Sequence, residues 1–390
     1  MRKTADAVVI GGGIVGASTA YYLAKKGLRE VVLLEKGEIS SGSSGDSAAI
    51  VRQHYSNEVS IRLVRRTLEI FQGFSDEFDG AKAFTNAGWI FLVPEEASAM
   101  FTENLPRLKG FGVRTWELSI EDALKELPGL NVEGIARVGF EPDSGYADPH
   151  VTANAMVSKA AQLGAEIHIH TAATGISRPG GAISVVSTPK GDIETEIVVN
   201  AAGPWAGQVG HWLGLDLPLE ISREQDIVVR LPEGATPITR AVSNMVDRTY
   251  FRPEPGGRLL VGTGHPKPND PAEPDNYSRD ADPEFIQETR RLLAHRFPYL
   301  AEAELTASWA GLYTITPDWS MIVDAAPGVD GVYLAVGGSG HSFKLAPALG
   351  ECLAEMIVDG SPSTVDITAL RASRFDDKEL MRSTYGGNRG

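Results

Sequence analysis

The apolar positions near the start of the chain form two short continuous runs with a helical pattern between them. Residues 7–10 are small or apolar throughout, which is typical of a parallel strand buried on both faces. Residues 17–26 place apolar side chains at helical spacing, and Gly27 stands where a left-handed helix cap is expected. A second apolar run covers residues 31–34. The pattern therefore predicts a strand, a helix and a second strand in direct succession.

A glycine cluster, Gly11-x-Gly13-x-x-Gly16, lies between the first strand and the helix. Gly11 permits the tight turn, Gly13 lets the backbone approach a pyrophosphate, and Gly16 lets the helix pack close to the sheet. Glu35 ends the second strand, where a carboxylate accepts hydrogen bonds from ribose hydroxyls, and phosphates are expected at the helix N-terminus. An acid there indicates an adenosine with a free 2′-hydroxyl, although the basic neighbour Lys36 slightly weakens this indication. FAD and NAD fit this pattern better than NADP.

Residues 40–49 are small and polar, and they come directly after this unit. Their many backbone amides suit contacts with phosphate or ribityl oxygens. A linker without a binding role is the alternative. The amphipathic helix pattern over about residues 58–78 starts soon afterwards and favours a loop that wraps a ligand.

The hydrophobic pattern changes between about residues 218 and 309, where short segments that alternate apolar and polar residues predict an antiparallel sheet. Residues 331–336 then form another continuous apolar run, which leads into the glycine segment 337–340 and a helix over 345–358. Another apolar segment likewise ends in mostly small residues, at 200–205, before a predicted helix start. These later strand ends are expected to face the same extended cofactor as the first glycine cluster.

Composition narrows the class of protein further. With 390 residues the chain is longer than one core usually serves, so two domains are expected. A net charge of -15 argues against nucleic-acid binding. No apolar run approaches the length of a membrane span, and the first strand leaves no room for a signal peptide, so a cytoplasmic location is expected. The single cysteine, Cys352, excludes an internal disulfide and a cysteine-built metal site. No metal site is predicted.

Five segments, in this order, resemble the D-amino-acid oxidase superfamily of FAD enzymes. They are residues 9–16, 45–52, 200–205, 311–318 and 340–347. The likeness is greatest to the glycine oxidase and sarcosine oxidase branch, and the segment around Arg52 is most similar to the beta subunit of multi-subunit sarcosine oxidases. Five segments in the family's order are far more specific than one glycine motif. A module or NAD-dependent dehydrogenase that uses only the first motif is the alternative, and the glycine segment at 337–340 argues against it.

The resemblance and the pattern together predict an α/β fold, with a discontinuous Rossmann-like FAD-binding domain and an inserted α+β substrate domain built on an antiparallel sheet. The FAD-binding domain is expected to comprise residues 1–85, 146–217 and 319–376. Residues 86–145 and 218–318 are assigned to the substrate-binding domain. Residues 377–390 are expected to form a flexible tail.

The resemblance also implies a chemistry. An enzyme of this kind oxidises the C–N bond of a small amino acid or N-alkyl amino acid, glycine-like or sarcosine-like, to an imine that water hydrolyses. The electrons pass from FAD to O2, which gives H2O2, or to another acceptor. The protein supplies position and electric field. The expected partners are an amine substrate with a carboxylate and an electron acceptor, and an oligomer is compatible with the sequence.

The residues implied for catalysis begin with Arg52 and Lys344, which would hold the substrate carboxylate. The planar fork of arginine suits a carboxylate, and a lysine at a helix start conflicts with the helix dipole unless an anion lies there. Tyr313, Tyr250 and His265 are expected to line the pocket, with an ordinary structural role as the alternative. The residues expected to bind the cofactor are Gly11, Gly13, Ile14, Val15, Gly16, Glu35, Lys36, Ser43, Ser44, Ala49, Ile50, Ala202, Gly203, Trp205, Gly311, Gly338, Ser339, Gly340, His341, Ser342, Phe343 and Lys344.

Two departures from the family pattern bear on the flavin. Gly311 stands where monomeric sarcosine oxidases carry the cysteine that tethers their flavin, so that tether is impossible here, whereas attachment at His54 stays an alternative. Residues 259–264 lack the lysine that activates oxygen in those enzymes. Unless Lys344 or Lys267 substitutes for it, a dehydrogenase that passes electrons to a partner becomes the alternative to an oxidase.

Overall fold

The computed structural model describes residues 1–179, 181 and 183–384. Its strands are β1 (Thr4–Ile10), β2 (Val31–Leu34), β3 (Ile50–Val51), β4 (Phe84–Thr85), β5 (Trp89–Val93), β6 (Trp116–Leu118), β7 (Arg137–Glu141), β8 (Gly145–Ala147), β9 (Glu166–His168), β10 (Gly175–Ser177), β11 (Ser184–Thr188), β12 (Gly191–Asn200), β13 (Glu220–Arg230), β14 (Ala241–Asn244), β15 (Thr249–Glu254), β16 (Arg258–Thr263), β17 (Glu304–Ile315), β18 (Ile322–Ala325) and β19 (Val332–Val336). Its α-helices are α1 (Ile14–Lys25), α2 (Glu58–Gln72), α3 (Phe74–Glu77), α4 (Ser98–Gly110), α5 (Ile120–Glu126), α6 (Pro149–Gln162), α7 (Ala206–Trp212), α8 (Pro283–Arg296) and α9 (Ser342–Asp359).

Helix starts follow the capping chemistry of the sequence. The Asn57 side chain accepts a hydrogen bond from the Ser60 N–H at 2.8 Å and begins α2. The Asp148 side chain does the same for the Val151 N–H at 2.9 Å, with Pro149 in the first helical position of α6. Such caps pair backbone N–H groups that a helix leaves without partners. Local polar residues therefore fix where these helices begin.

The first sheet is parallel at its centre, with β9, β2, β1, β12 and β19 side by side and β18 antiparallel on β19. The far edge of β12 pairs with β11 in its first half and with β19 in its second half. Successive β1 side chains enter different cores, Ala7 and Val9 on the face of α1 and Val8 and Ile10 on the opposite face. Burial on both faces explains the continuous apolar run and confirms the predicted α/β architecture.

The second sheet has the strand order β17–β13–β16–β15–β14–β5–β7–β6 and is antiparallel except where β14 pairs with β5. One face packs its apolar side chains, such as Ile227 and Val261, against Leu293 of α8. Alternate residues point to the other face, and these include Asp226 and Tyr250. The antiparallel sheet predicted from the alternating segments is confirmed. A small third sheet, β3–β8–β4, ends beside Arg52.

The observed helix bounds differ from the predicted ones where a glycine interrupts the pattern. The predicted helix over 58–78 is divided, because Gly73 closes α2 and α3 follows as a separate turn. Strand β17 carries residues 311–315 of the family segment, and residues 316–318 follow the strand. In the described part of the chain, no helix combines the length and apolar character needed to cross a membrane.

The start of the segment predicted to be a flexible tail is held by hydrogen bonds. The Met381 N–H donates to Asp318 at 3.0 Å, and the Thr384 N–H donates to the Ser56 hydroxyl at 2.9 Å. Residues 385–390 lie outside the described residues. The predicted domain boundaries, and the flexibility of the tail, stay predictions.

Asp318 and Arg374 form a buried ion pair whose loss should destabilise the fold. Arg374 Nε lies 2.7 Å from Asp318 Oδ2, and both side chains are at most 1% exposed. Asp318→Ala leaves a buried guanidinium without its counter-charge, so we expect about 3–5 kcal/mol loss in the free energy of unfolding, measured by denaturant titration. Glu379→Gln removes an exposed ion pair with Arg371 in the same region and is the control, with an expected cost below about 1 kcal/mol. Equal losses in both variants would contradict the prediction.

Candidate active site

A cleft of about 650 Å³ opens where the central parallel strands end. Its walls come from the glycine turn after β1, Glu35 after β2, Ala202 after β12 and the glycine segment after β19. Parallel strands bring their carboxyl ends to one edge of a sheet, where ligands of this fold class bind. The volume lies within the usual range of small-molecule sites.

The glycine turn depends on contacts that no other residue tolerates. Gly11 has a φ of +113°, and a Cβ there would lie 2.4 Å from the carbonyl oxygen of Ala201. A Cβ on Gly16 would lie 1.9 Å from the carbonyl oxygen of Gly11. Gly16 therefore sits beneath the turn and lets α1 approach β1.

Glu35 is fixed at one end of the cleft by two backbone amides. The Gly12 and Gly37 N–H groups each donate to one of its carboxylate oxygens at 2.7 Å. Lone pairs remain on both oxygens for ribose hydroxyls. The neighbouring Lys36 is engaged elsewhere, because its Nζ lies 2.7 Å from Asp275 and 3.5 Å from the centre of the Trp205 ring.

A second cavity, of about 180 Å³, adjoins the cleft and shares Tyr313 and Phe343 with its wall. The residues implied for catalysis all line this cavity. Arg52 follows β3, and Lys344 lies in the first turn of α9. The other three residues lie on strands of the antiparallel sheet or directly after strand β16. These three are Tyr250, His265 and Tyr313.

Two cations dominate one part of the smaller cavity. The Arg52 guanidinium packs 4.8 Å from the centre of the Tyr55 ring and donates to the carbonyl oxygen of His54. Lys344 is buried, and burial together with the charge of Arg52 lowers its pKa well below the usual value. Among the described residues, no carboxylate forms an ion pair with Lys344. A bound anion would satisfy this charge.

The polar groups from the antiparallel sheet are already linked to carboxylates. The Tyr250 hydroxyl donates to Asp226 at 2.8 Å, and His265 Nε2 lies 3.2 Å from Glu224. Burial raises the pKa of Tyr250 and of Tyr313 well above the usual value, so both hydroxyl groups stay protonated. The sequence indicated the tyrosines and His265 but missed both carboxylates.

His54 also reaches the cavity wall. It is buried against Phe91 and Phe101, with ring centres 5.0 and 5.7 Å away. Burial, followed by the charge of Arg52, lowers its pKa to about 3, so the imidazole is neutral. Attachment of a flavin to His54 stays the alternative that the sequence left open.

Comparison with known proteins decides the family. A model of FAD-dependent oxidoreductases, the DAO family, matches residues 6–356. The chain belongs to this family. Among solved structures it is similar to L-proline dehydrogenase from P. horikoshii, at 30% identity and a TM-score of 0.90, covering 98% of this chain and 100% of that one. It is also similar to glycine oxidase from Geobacillus kaustophilus, at 25% identity and a TM-score of 0.84, covering 96% and 99%.

A third relative is the sarcosine oxidase subunit beta of Rhodobacter capsulatus, which is 25% identical over 97% of this chain and 92% of its own length. These findings confirm the resemblance to the glycine oxidase and sarcosine oxidase branch. The protein is thus an FAD-dependent oxidoreductase, as the sequence predicted.

The residues of the cleft fit FAD. The Ser43 hydroxyl is buried in the lining, and none of the described groups pairs with it. The α1 N-terminus faces the same place, where the Ile14 N–H donates to the Ser44 hydroxyl at 3.0 Å. A helix N-terminus and a buried hydroxyl without a partner suit a phosphate group. Glu35, Ser43 and the α1 N-terminus are therefore the groups that would hold the adenosine and pyrophosphate portions.

The structure separates the predicted cofactor residues into three sets. Gly16 and Gly311 line neither cavity, because Gly16 packs under the glycine turn and a Cβ on Gly311 would lie 2.7 Å from the Asp46 Cβ. Ala49, Ile50, His341 and Lys344 line only the smaller cavity. The residues that line the larger cleft are Gly11, Gly13, Ile14, Val15, Glu35, Lys36, Ser43, Ser44, Ala202, Gly203, Trp205, Gly338, Ser339, Gly340, Ser342 and Phe343. Their individual roles stay predictions.

Sequence reasoning missed the apolar wall of the smaller cavity. Trp89 and Phe91 of β5 face it, whereas Ile90 and Leu92 enter the core on the other side of the sheet. The period-two alternation of a strand was a usable signal for this division. No local pattern indicated Trp319, which reaches the cavity from a loop and packs 4.6 Å from the centre of the His265 ring.

Ser43 gives a direct test of the cleft. We expect Ser43→Ala to weaken FAD binding by the apoprotein about 2–10-fold, because one hydrogen bond contributes roughly 0.5–1.5 kcal/mol. Calorimetric titration of FAD into apoprotein measures this. The melting temperature of the apoprotein should not fall, since the hydroxyl has no described partner, whereas Ser44→Ala should lower it by removing the bond from Ile14. Unchanged FAD affinity in Ser43→Ala would contradict the role.

Proposed function

We propose that this enzyme oxidises the C–N bond of a small amino acid or N-alkyl amino acid whose carboxylate is held by Arg52 and Lys344. One observation carries the proposal: the basic side chains of Arg52 and Lys344 line a cavity of about 180 Å³ that adjoins the FAD cleft, and Lys344 is buried without a carboxylate partner among the described residues. A carboxylate is the anion that small amines of this class carry. A bound carboxylate would stabilise the charged ammonium of Lys344, which burial disfavours.

The names of the relatives support a small amino acid. Glycine oxidase, L-proline dehydrogenase and a sarcosine oxidase subunit are each named for one. Two of these three amino acids carry a secondary amine. The limited volume of the cavity, with Trp89 and Phe91 in its wall, favours substrates of this size over long side chains.

The residues of this chain bind and orient the substrate in the proposed reaction. FAD, when bound, supplies the two-electron chemistry. Arg52 and Lys344 fix the carboxylate, which limits the positions open to the α-carbon and the nitrogen. The apolar rings of Trp89 and Phe91 exclude water from the reacting bond. Loss of a hydride from the α-carbon of the neutral amine gives an iminium ion, which becomes an imine when its N–H proton is lost. Water then hydrolyses this species to a carbonyl compound and an amine.

O2 is the first candidate acceptor, with H2O2 as the product. A dehydrogenase that passes electrons to a partner or another acceptor is the second candidate, and one contact favours it. Lys267, the nearest lysine after β16, lies 2.6 Å from Glu224, so its charge is balanced. A balanced lysine stabilises developing superoxide less than an unpaired one. Lys344, which lines this cavity, is then the lysine left to assist O2.

An anaerobic titration tests the proposed function. The purified FAD enzyme is mixed with sarcosine, N-ethylglycine, glycine, proline enantiomers and D-alanine, and the flavin absorbance is followed. Bleaching by at least one of them supports the proposal, and no bleaching by any overturns it. Reoxidation of the reduced enzyme by air and by a dye then separates the two acceptors, because fast reaction with the dye and slow reaction with air identifies a dehydrogenase.

Lys344→Met tests the carboxylate site. We expect kcat/KM for the best substrate to fall about 10–100-fold, mainly through KM, because a hydrogen bond to a charged group contributes roughly 1.5–3 kcal/mol. The melting temperature of the substrate-free protein should hold or rise, since a buried ammonium disappears. Lys378→Met, on the surface, is the control and should leave both quantities unchanged. A fall in stability with KM unaltered would contradict substrate binding by Lys344.

A further inference from the structure

A row of residues across three strands connects the smaller cavity to a buried carboxylate. Tyr250 of β15 and Asp226 of β13 both lie opposite Gly262 of the intervening strand β16. A Cβ on Gly262 would lie 2.0 Å from Asp226 Oδ1 and 2.4 Å from the Tyr250 hydroxyl. Because glycine occupies that position, the tyrosine crosses the middle strand and donates to Asp226 at 2.8 Å.

The surroundings of Asp226 leave it able to gain a proton near neutral pH. Its side chain is buried, and burial is the main cause that raises its pKa to about 7, against the hydrogen bond from Tyr250. The charged and titratable groups that face it come from each neighbouring element. They are Tyr250 and Arg252 on β15, Glu224 on β13, Tyr313 on β17 and Lys267 after β16.

The neighbouring carboxylate, Glu224, has different hydrogen-bond and ion-pair partners from Asp226. Glu224 accepts a hydrogen bond from the Ser222 hydroxyl at 2.9 Å and pairs with Lys267 at 2.6 Å, beside His265. Burial opposes ionisation of Glu224, but His265 and Lys267 outweigh it and hold its pKa below the usual value. Glu224 therefore remains charged through neutral pH, whereas Asp226 can change its protonation state.

A bound ammonium must lose a proton before its C–N bond can be oxidised, because a protonated nitrogen has no lone pair to form the imine. Arg52 and Lys344 favour that loss, since nearby cations disfavour a further positive charge. Tyr250 lines the cavity. Its pKa is raised well above the usual value, so its hydroxyl stays protonated and does not act as a phenolate. The Tyr250 oxygen can accept a proton only if its own hydroxyl proton moves to a neighbouring acceptor at the same time.

We infer that Asp226, acting through Tyr250, accepts the proton that the bound substrate ammonium loses before oxidation. This inference rests on the proposed function. An N–H of the substrate gives its proton to the Tyr250 oxygen while the Tyr250 O–H gives its proton to Asp226 Oδ1. The products are a neutral amine, an unchanged tyrosine and a protonated Asp226, so one positive and one negative charge disappear together and no oxidant is needed. Tyr250 is the catalytic residue in contact with the substrate, and Asp226 acts behind it.

Asp226→Asn tests the relay, because it keeps the size of the side chain and removes its capacity to hold the proton. The rate of flavin reduction is measured anaerobically at limiting substrate from pH 6 to pH 10. In the wild-type enzyme it should rise up to about pH 7 and then level, since Asp226 accepts a proton only when it is ionised. In the variant it should rise about tenfold per pH unit toward the pKa of the free amine. It should be at least about tenfold below wild type at pH 7 and close to it at pH 10.

Tyr250→Phe breaks the relay at its other end and should give the same pH profile as Asp226→Asn. Asp192→Asn, an exposed position on β12, is the matched control and should keep the wild-type profile. If Asp226→Asn reduces its flavin at the wild-type rate with an unchanged pH profile, the relay is overturned and the proposed function stands. Absence of reduction by any amine in the wild-type enzyme overturns both the relay and the proposed function.

Proton release on binding gives a readout that does not depend on turnover. 2-Aminoisobutyrate has no α-hydrogen and cannot be oxidised, so its binding is measured by calorimetry at pH 8 in buffers of different ionisation enthalpy. Wild type should release almost no proton, because the proton moves to Asp226 within the complex. Asp226→Asn should release about one proton per molecule bound, and equal release by both proteins would overturn the relay.

Discussion

The close approach of α1 to β1 is the contact on which the rest of the site depends. The two glycines of that contact leave no room for a Cβ, since one at Gly16 would lie 1.9 Å from the Gly11 carbonyl oxygen and one at Gly11 would lie 2.4 Å from that of Ala201. These two contacts bring the N-terminus of α1 and the end of β12 to the floor of one cleft. A side chain at either position would separate helix from sheet and remove the surface that receives the pyrophosphate.

The smaller cavity lies where the two large sheets meet. The Ser339 N–H donates to the Thr314 carbonyl oxygen at 2.8 Å, which joins the glycine segment after β19 to β17. A Cβ on Gly340 would lie 2.4 Å from the Tyr313 ring, so this glycine lets the tyrosine enter the boundary between the two cavities. The larger cleft and the smaller cavity thus share one wall where the two sheets meet.

Electrostatics divide the smaller cavity into a cationic part and an acidic part. The whole chain carries a net charge of -15, yet Arg52 and Lys344 bring two basic groups to the cavity from the side of the parallel sheet. Glu224 and Asp226 lie behind the tyrosine and histidine of the antiparallel sheet. Local geometry, more than total charge, therefore decides what this cavity binds, because burial strengthens the few charges that face it.

The sequence by itself determined the dinucleotide-binding turn, because strand, glycine turn and helix follow one another within a few tens of residues and their geometry is local. The resemblance of five segments added the family and FAD, which the family match confirms. It also indicated Arg52, Lys344, Tyr250, Tyr313 and His265, which lie within or close to recognisable segments. Only the tertiary structure decided that Gly311 packs against Asp46 instead of lining the cleft. It alone brought Asp226 to Tyr250, since that contact depends on which strands pair and in which register. Strand pairing is settled by packing over long sequence separations, which no short window of the chain contains.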